Sequence, residues 1–255
     1  MESKLKFSVA DWTYCNKNAD RFSCYKKLAE AGFPILECVQ ESKWATAQNA
    51  GLRVLNTDAP GRDDGINNPA LHDELAAGMR EVIRKAAAND IAQVILFGGK
   101  RIAGMSDEEA LENSVKCIRR VAPYAEEAGV MMGIELAHSE ESSDQQADNF
   151  AYGVKMVRQV NSPFFKIIYC VISRSFMKEN VADDLVADLD TVVNIHVSGV
   201  DRRNPGPDGG IPYNEIVPRV HRAGFNGTWG LEFYPTGDDI EELKGIRDLF
   251  NSYIT

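Results

Sequence analysis

The chain lacks any apolar run approaching the ~18 residues that suggest a membrane span. Its opening residues, Met-Glu-Ser-Lys-Leu-Lys, lead into a strand without an apolar signal region, so a soluble, cytoplasmic protein is expected. Positive charge is short: 28 Lys and Arg stand against 38 Asp and Glu, a formal net charge of −10. This balance argues against nucleic acid and against an anionic membrane surface as partners, since both call for a basic face. No Gly-rich phosphate fingerprint follows the first strand, which counts against a doubly wound nucleotide-binding sheet. The cysteines are five, Cys15, Cys24, Cys38, Cys117 and Cys170, with no regular spacing. An odd, irregular set of that kind is expected to be reduced thiols, not a disulfide framework. No linker or low-complexity segment divides the chain, so residues 1–255 are expected to form one domain.

What the chain does have is alternation. Short apolar runs alternate with amphipathic stretches, the pattern of parallel strands joined by helical crossovers. The runs are Leu5–Ala10, Ile35–Val39, Arg53–Thr57, Gln93–Phe97, Val130–Leu136, Phe165–Val171, Val192–Val197 and Thr228–Phe233. Helices are expected between them over Arg21–Ala31, Ser42–Asn49, Pro69–Ala88, Ser106–Ala128, Asn149–Val160, Val181–Leu189, Tyr213–Ala223 and Asp238–Tyr253. Ser106-Asp-Glu-Glu opens the fourth of these with an N-cap and an acidic first turn. About eight strand–helix pairs in 255 residues match the number and size of an α/β, single (β/α)₈ TIM barrel. A chain of this length, 44% hydrophobic, buries a large core without help from a structural metal or disulfides.

In that architecture chemistry sits at the C-terminal ends of the strands. Four late strands end with groups that can titrate or bind metal: Glu135, Cys170, His196 and Glu232. The first half adds Asp11, Glu37, Asn56 and Lys100 at similar heights. Taken singly, each has an ordinary structural explanation: a solvated carboxylate, a hydrogen-bonded histidine, an inert buried thiol. Glu135 and Glu232 resist it most, because each is flanked by apolar residues, Gly-Ile-Glu-Leu and Gly-Leu-Glu-Phe, where an unpaired carboxylate is costly. A divalent cation would resolve that cost for both together. His138 lies close enough to Glu135 to be a substrate-binding candidate, whereas His72 and His221 have no convergent partner. Lys100, after Gly98-Gly99, could hold an anion or polarise a carbonyl. The loop Asp201-Arg-Arg-Asn-Pro-Gly-Pro-Asp-Gly-Gly-Ile-Pro-Tyr213 follows the His196 strand directly, where an arginine could hold a carboxylate or phosphate.

These residues carry a resemblance that runs over nearly the whole chain. Ile134-Glu-Leu, Lys166-Ile-Ile-Tyr-Cys170, Ile195-His-Val with Arg202 and Asn204-Pro-Gly-Pro-Asp-Gly-Gly-Ile-Pro-Tyr213, and Gly227-Thr-Trp-Gly-Leu-Glu-Phe233 are its most specific pieces, with Leu96-Phe-Gly-Gly-Lys-Arg101 beside them. The chain resembles the xylose isomerase-like barrels of the sugar phosphate isomerase/epimerase superfamily, within it the hydroxypyruvate isomerase-like branch. Members of that family hold a divalent metal such as Mn²⁺ or Mg²⁺ with Glu, Asp, His (or Gln) and Glu on four strands. The resemblance implies Glu135, His196 and Glu232 as three of the ligands, with both glutamates also shuttling the proton, and Arg202 as a substrate-binding residue. On the sixth strand the family reads Tyr-Asp-Ile-Tyr-His, whereas this chain has Tyr169-Cys-Val-Ile-Ser173. Cys170 thus stands where the family has a ligating Asp, and Ser173 where it has a substrate-contacting His.

That departure leaves three readings open. Cys170 ligates as a thiolate, favouring Zn²⁺, Fe²⁺ or Co²⁺ over Mg²⁺; or three ligands and water hold the metal weakly; or the metal is lost. The expected function is accordingly a metal-dependent keto–aldo isomerase of a small hydroxy acid or sugar, working through an enediolate, with a divalent ion (Mn²⁺, Mg²⁺, Co²⁺ or Zn²⁺). An epimerase or lyase would use the same constellation, and a non-catalytic sugar-binding barrel is the rival from another class. A small-molecule substrate is the expected partner; the oligomeric state, a homo-oligomer included, stays open.

Overall fold

Runs of Val, Ile, Leu and Phe only a few residues long are too short for helices, and buried on both faces they pair as parallel strands. The computed structural model, which describes residues 4–15, 20–62, 65–137 and 144–255, has nine: β1 (Lys6–Ala10), β2 (Ile35–Glu37), β3 (Arg53–Val54), β4 (Asn56–Asp58), β5 (Gln93–Phe97), β6 (Met131–Glu135), β7 (Phe165–Cys170), β8 (Val192–Val197) and β9 (Thr228–Leu231). Their order is β3-β2-β1-β9-β8-β7-β6-β5-β4, every pairing parallel. β3 and β4 are two halves of one strand position. Leu55 joins them, donating its N–H to Leu36 O at 2.7 Å while its carbonyl accepts from Gln93 N at 3.0 Å. The eight positions therefore close into the expected TIM barrel.

The helices lie between successive strands and carry apolar stripes. His72–Ala88 buries Leu75, Ala76, Met79, Ile83 and Ala86, a three-to-four-residue spacing that faces one side of the helix toward the sheet. Side-chain caps fix where several begin: Ser106 accepts from Glu109 N, Asn149 from Tyr152 N, and Asp238 from Ile240 N and Glu241 N. Among the described residues no helix is long and apolar enough to cross a membrane.

Two expectations are corrected. The helix expected over Ser106–Ala128 is two, Asp107–Arg119 and Ala122–Ala128. Pro123 has no N–H to continue the first ladder and instead occupies the opening turn of the second helix. The five cysteines are not all reduced. Cys15 and Cys24 form a disulfide with Cα atoms 5.9 Å apart, while Cys38, Cys117 and Cys170 are free. Cys15 follows a short helix, Asp11–Tyr14, that the sequence pattern does not announce, and this turn folds the chain back against Arg21–Glu30. The pairing depends on that fold-back and has no signature in the spacing.

Most apolar side chains form one cluster between the barrel wall and the helices. A separate small cluster of Ile95, Phe97 and Ile168 comes from β5 and β7. Ser8, Glu37, Asn56 and Asn194, from β1, β2, β4 and β8, are buried, and Glu37 accepts a hydrogen bond from each of the other three. Side chains from strands so far apart in the sheet order can meet only inside the closed barrel.

Candidate active site

Strand register brings the late-strand candidates to one height. In β7 and β8, Cys170 is paired with His196, and in β8 and β9, His196 is paired with Gly230. Glu135 ends β6 and Glu232 follows β9 immediately. One ligand atom from each of Glu135, Cys170 and Glu232 lies within 4.8 Å of the other two. His196 stands beside them, its Nδ1 3.5 Å from Glu135 Oε1 and 3.4 Å from Glu232 Oε2.

The other face of the imidazole meets Glu37, whose Oε2 is 3.3 Å from His196 Nε2. Glu37 is fully buried and accepts hydrogen bonds from Ser8 Oγ at 3.1 Å, Asn194 Nδ2 at 3.0 Å and Asn56 Nδ2 at 3.4 Å. Asn194 in turn accepts from Thr228 Oγ1. Gly230 makes room for this arrangement: a Cβ there would stand 2.0 Å from Glu37 Oε1 and 2.9 Å from His196 Cδ2. Glycine in the Trp-Gly-Leu-Glu segment is therefore required by the packing behind the imidazole.

Three carboxylates around one histidine set the electrostatics. Burial alone would lower the affinity of His196 for a proton, but Glu232, Glu37 and Glu135 outweigh it and hold the imidazole charged well above its ordinary range. Glu232 is pushed up to about 7, by burial first and then by Glu135 and Glu37. Burial also raises Glu135, yet His196, Arg62 and Arg202 outweigh it and bring its carboxyl below the usual value. The two glutamates of one mouth are thus driven in opposite directions. Neither ring nitrogen of His196 has a well-formed hydrogen bond among the described residues, although both are buried. A buried group of this kind, with excess negative charge and an imidazole nitrogen aimed between two carboxylates, fits a cation.

A cleft of about 400 Å³ opens over Glu135 and Glu232, lined also by Trp12, Cys38, Gln40, Asp58, Arg62 and Arg202. Arg202 packs its guanidinium 5.0 Å above the Trp12 ring, with Nη1 3.8 Å from Glu232 Oε2. Arg62 stacks 3.7 Å over Phe97 and pairs with Asp58 at 3.1 Å. Cys38 and Arg202 both have φ in the left-handed region, at 57° and 54°, a conformation that costs an L-residue about 1–2 kcal/mol. Strain of this kind concentrates where a side chain must be aimed. Cys38 is held by its N–H to Asn56 Oδ1 at 2.6 Å, and its Sγ approaches Glu232 Oε1 at 3.6 Å.

A family model described as "Xylose isomerase-like TIM barrel" matches residues 22–250. The chain belongs to that family. It is similar to proteins of Mus musculus and Homo sapiens named "Putative hydroxypyruvate isomerase", at 24% identity over 239 residues and 22% over 241. Each match covers 88% of this chain and 85% of the relative. Among solved structures, an AP endonuclease, family 2, from Brucella melitensis superposes with a TM-score of 0.85 at 15% identity, covering 96% of this chain and 98% of that one. D-Psicose 3-epimerase from Clostridium cellulolyticum H10, solved with D-tagatose, gives 0.75 at 18% identity, with 98% and 96% covered. At such identities the structural matches speak for the fold.

Within this xylose isomerase-like barrel the expected site residues separate. Glu135, Cys170, His196, Glu232 and Arg202 converge on one mouth. Ser173 is buried in the helix Val171–Phe176 and does not line the cleft. Lys100 does not line the cleft; it is exposed, bridges to Gln145, and its carbonyl accepts from Asn67 Nδ2 at 2.8 Å. Asp11 is consumed by Arg21 at 2.8 Å and Lys43 at 3.0 Å. His138 lies outside the described residues. Trp12 and Cys38 carry no motif that marks them as site residues, while Asp58 and Arg62 lie in the polar, Gly-containing loop after the third strand position, of a kind expected to cover or hold substrate. All four lie within a few residues of the ends of β1, β2 and β4, or at β4's last residue.

Proposed function

We propose that the chain is a metal-dependent isomerase that interconverts a small 2-hydroxy aldehyde and the corresponding ketone, its substrate a hydroxy acid or a sugar. The observation that carries this reading is the pair Glu135 and Glu232, facing one cleft beside His196 and grouped with the Cys170 sulfur within 4.8 Å. Moving a proton between adjacent carbons needs one group to accept it and one to return it.

Glu135, Cys170, His196 and Glu232 would hold a divalent cation. When bound, such an ion supplies Lewis acidity to the substrate carbonyl and its neighbouring hydroxyl. Glu135, whose carboxyl Arg62 and Arg202 help hold below its usual value, takes the proton from the hydroxyl-bearing carbon. Glu232, across the same cleft, delivers a proton to the adjacent carbon as the enediolate collapses. Arg202, braced on Trp12, binds a polar or anionic group of the substrate at the rim of the cleft. Buried polar groups around Glu37 keep the imidazole fixed throughout.

The test is proton exchange. Full-length protein is incubated in D₂O with short hydroxy-keto acids, hydroxypyruvate among them, and with keto sugars, each with and without added divalent ion. Deuterium entering the carbon beside the carbonyl, and lost in both Glu135→Gln and Glu232→Gln, supports the reading. An aldehyde product separates isomerase from epimerase. No exchange with any substrate and any ion would leave a binding barrel without catalysis.

A further inference from the structure

A buried thiol ordinarily lies among apolar neighbours. Cys170 is different: it is 2% exposed, yet its Sγ is grouped with carboxylate oxygens of both Glu135 and Glu232 within 4.8 Å. It ends β7 directly beside His196 of β8, whose Nδ1 points between the same two carboxylates. The helix Val171–Phe176 begins at the next residue, so the thiol is fixed at the strand end and cannot withdraw along a loop. Two carboxylates and one sulfur are therefore grouped as donors to a cation, with the His196 imidazole beside the two carboxylates but outside that group.

We propose that this centre selects a zinc-class cation, with Cys170 Sγ bonded directly to it, over Mg²⁺ or Mn²⁺. The inference rests on the metal-dependent reading above and adds the identity of the ion to it. Mg²⁺ and Mn²⁺ favour oxygen donors and retain water, whereas sulfur and imidazole together favour Zn²⁺ and Co²⁺. The bond change is simple: the sulfur–metal bond forms as the S–H bond breaks, the proton passing to solvent, with no oxidation or reduction. Cys38 is a second sulfur nearby, 3.6 Å from Glu232 Oε1, but it does not belong to the group that includes Glu135.

Protein stripped with a chelator is titrated with Co²⁺ alone and followed in the near-ultraviolet. The expected result is a stoichiometric sulfur-to-Co²⁺ charge-transfer band, abolished by Zn²⁺ but unchanged by roughly 100-fold excess Mg²⁺ or Mn²⁺. The band is expected in Cys38→Ser and absent from Cys170→Ser. In Cys170→Asp the preference for Zn²⁺ over Mn²⁺ should fall roughly tenfold or more. Zinc-edge X-ray absorption on the wild-type protein reads the same bond without any variant: one sulfur at about 2.3 Å is expected. Stoichiometric Co²⁺ without the band, a band that follows Cys38, or zinc surrounded by nitrogen and oxygen alone overturns the inference while leaving metal dependence intact. Failure to bind any of the four ions overturns both.

Discussion

The Nε2 of His196 stands 3.3 Å from Oε2 of Glu37, a carboxylate fully buried inside the barrel and itself held by Ser8, Asn56 and Asn194. This contact fixes which ring nitrogen faces inward and which faces the cleft. Nε2 faces Glu37, while Nδ1 is directed at Glu135 and Glu232.

Replacing Glu37 by Gln keeps the volume and removes the charge that anchors the imidazole. Divalent-ion affinity, measured by competition with a coloured chelator, is expected to fall about 10–100-fold with the far-ultraviolet spectrum unchanged. Unaltered affinity would mean the contact is packing alone.

Gly230→Ala drives a Cβ to 2.0 Å from Glu37 Oε1, so Glu37 would have to shift out of its hydrogen bonds with Ser8, Asn56 and Asn194. Overpacking of this kind costs about 1–3 kcal/mol, a drop of several degrees in Tm by calorimetry. Metal affinity should fall along with it, since Glu37 and His196 must both shift. A fully stable Gly230→Ala protein would contradict the packing described.

Arg202→Lys keeps the charge but loses the flat guanidinium that lies 5.0 Å over Trp12. The substrate KM should rise about tenfold with a smaller change in kcat, because lysine cannot stack or bind in two-pronged fashion. An unchanged KM would remove Arg202 from the binding role.

Glu242 supplies a pH prediction away from the cleft. Its carboxylate accepts from Asn204 Nδ2 at 2.9 Å, Thr236 N at 2.9 Å and Gly237 N at 2.6 Å. Burial pushes this group up, but those hydrogen bonds outweigh it, so its folded value lies below the ordinary carboxylate range. A depressed folded value adds stability above the unfolded pKa of about 4.3 and loses it as pH falls through the folded value. Melting profiles taken from pH 6 down to pH 3 should therefore fall more steeply in the wild type than in Glu242→Gln. Parallel profiles would show that the loop from Thr236 to Asp238 does not depend on this charge.

The alternation of short Val/Ile/Leu runs with amphipathic stretches determined the barrel, because a run buried on both faces has to pair in parallel and each crossover has to cover it. Strand ends followed from the same pattern, and with them the height of Glu135, Cys170, His196 and Glu232. Height is a property of one strand at a time, and local sequence records it. Direction around the barrel is not. Lys100 and Arg62 both follow strand ends, yet Arg62 lines the cleft and Lys100 does not. Which of them faces inward is decided by how each loop turns over its neighbours. Convergence is equally hidden: Glu37 and Asn194 are 157 residues apart and meet only because the sheet closes. The disulfide between Cys15 and Cys24 depends in the same way on a turn after β1 that no apolar pattern marks. Periodicity determined the architecture and the row of groups at its mouth; closure of the barrel alone decided which of them share a site, because that depends on contacts between strands the chain order keeps apart.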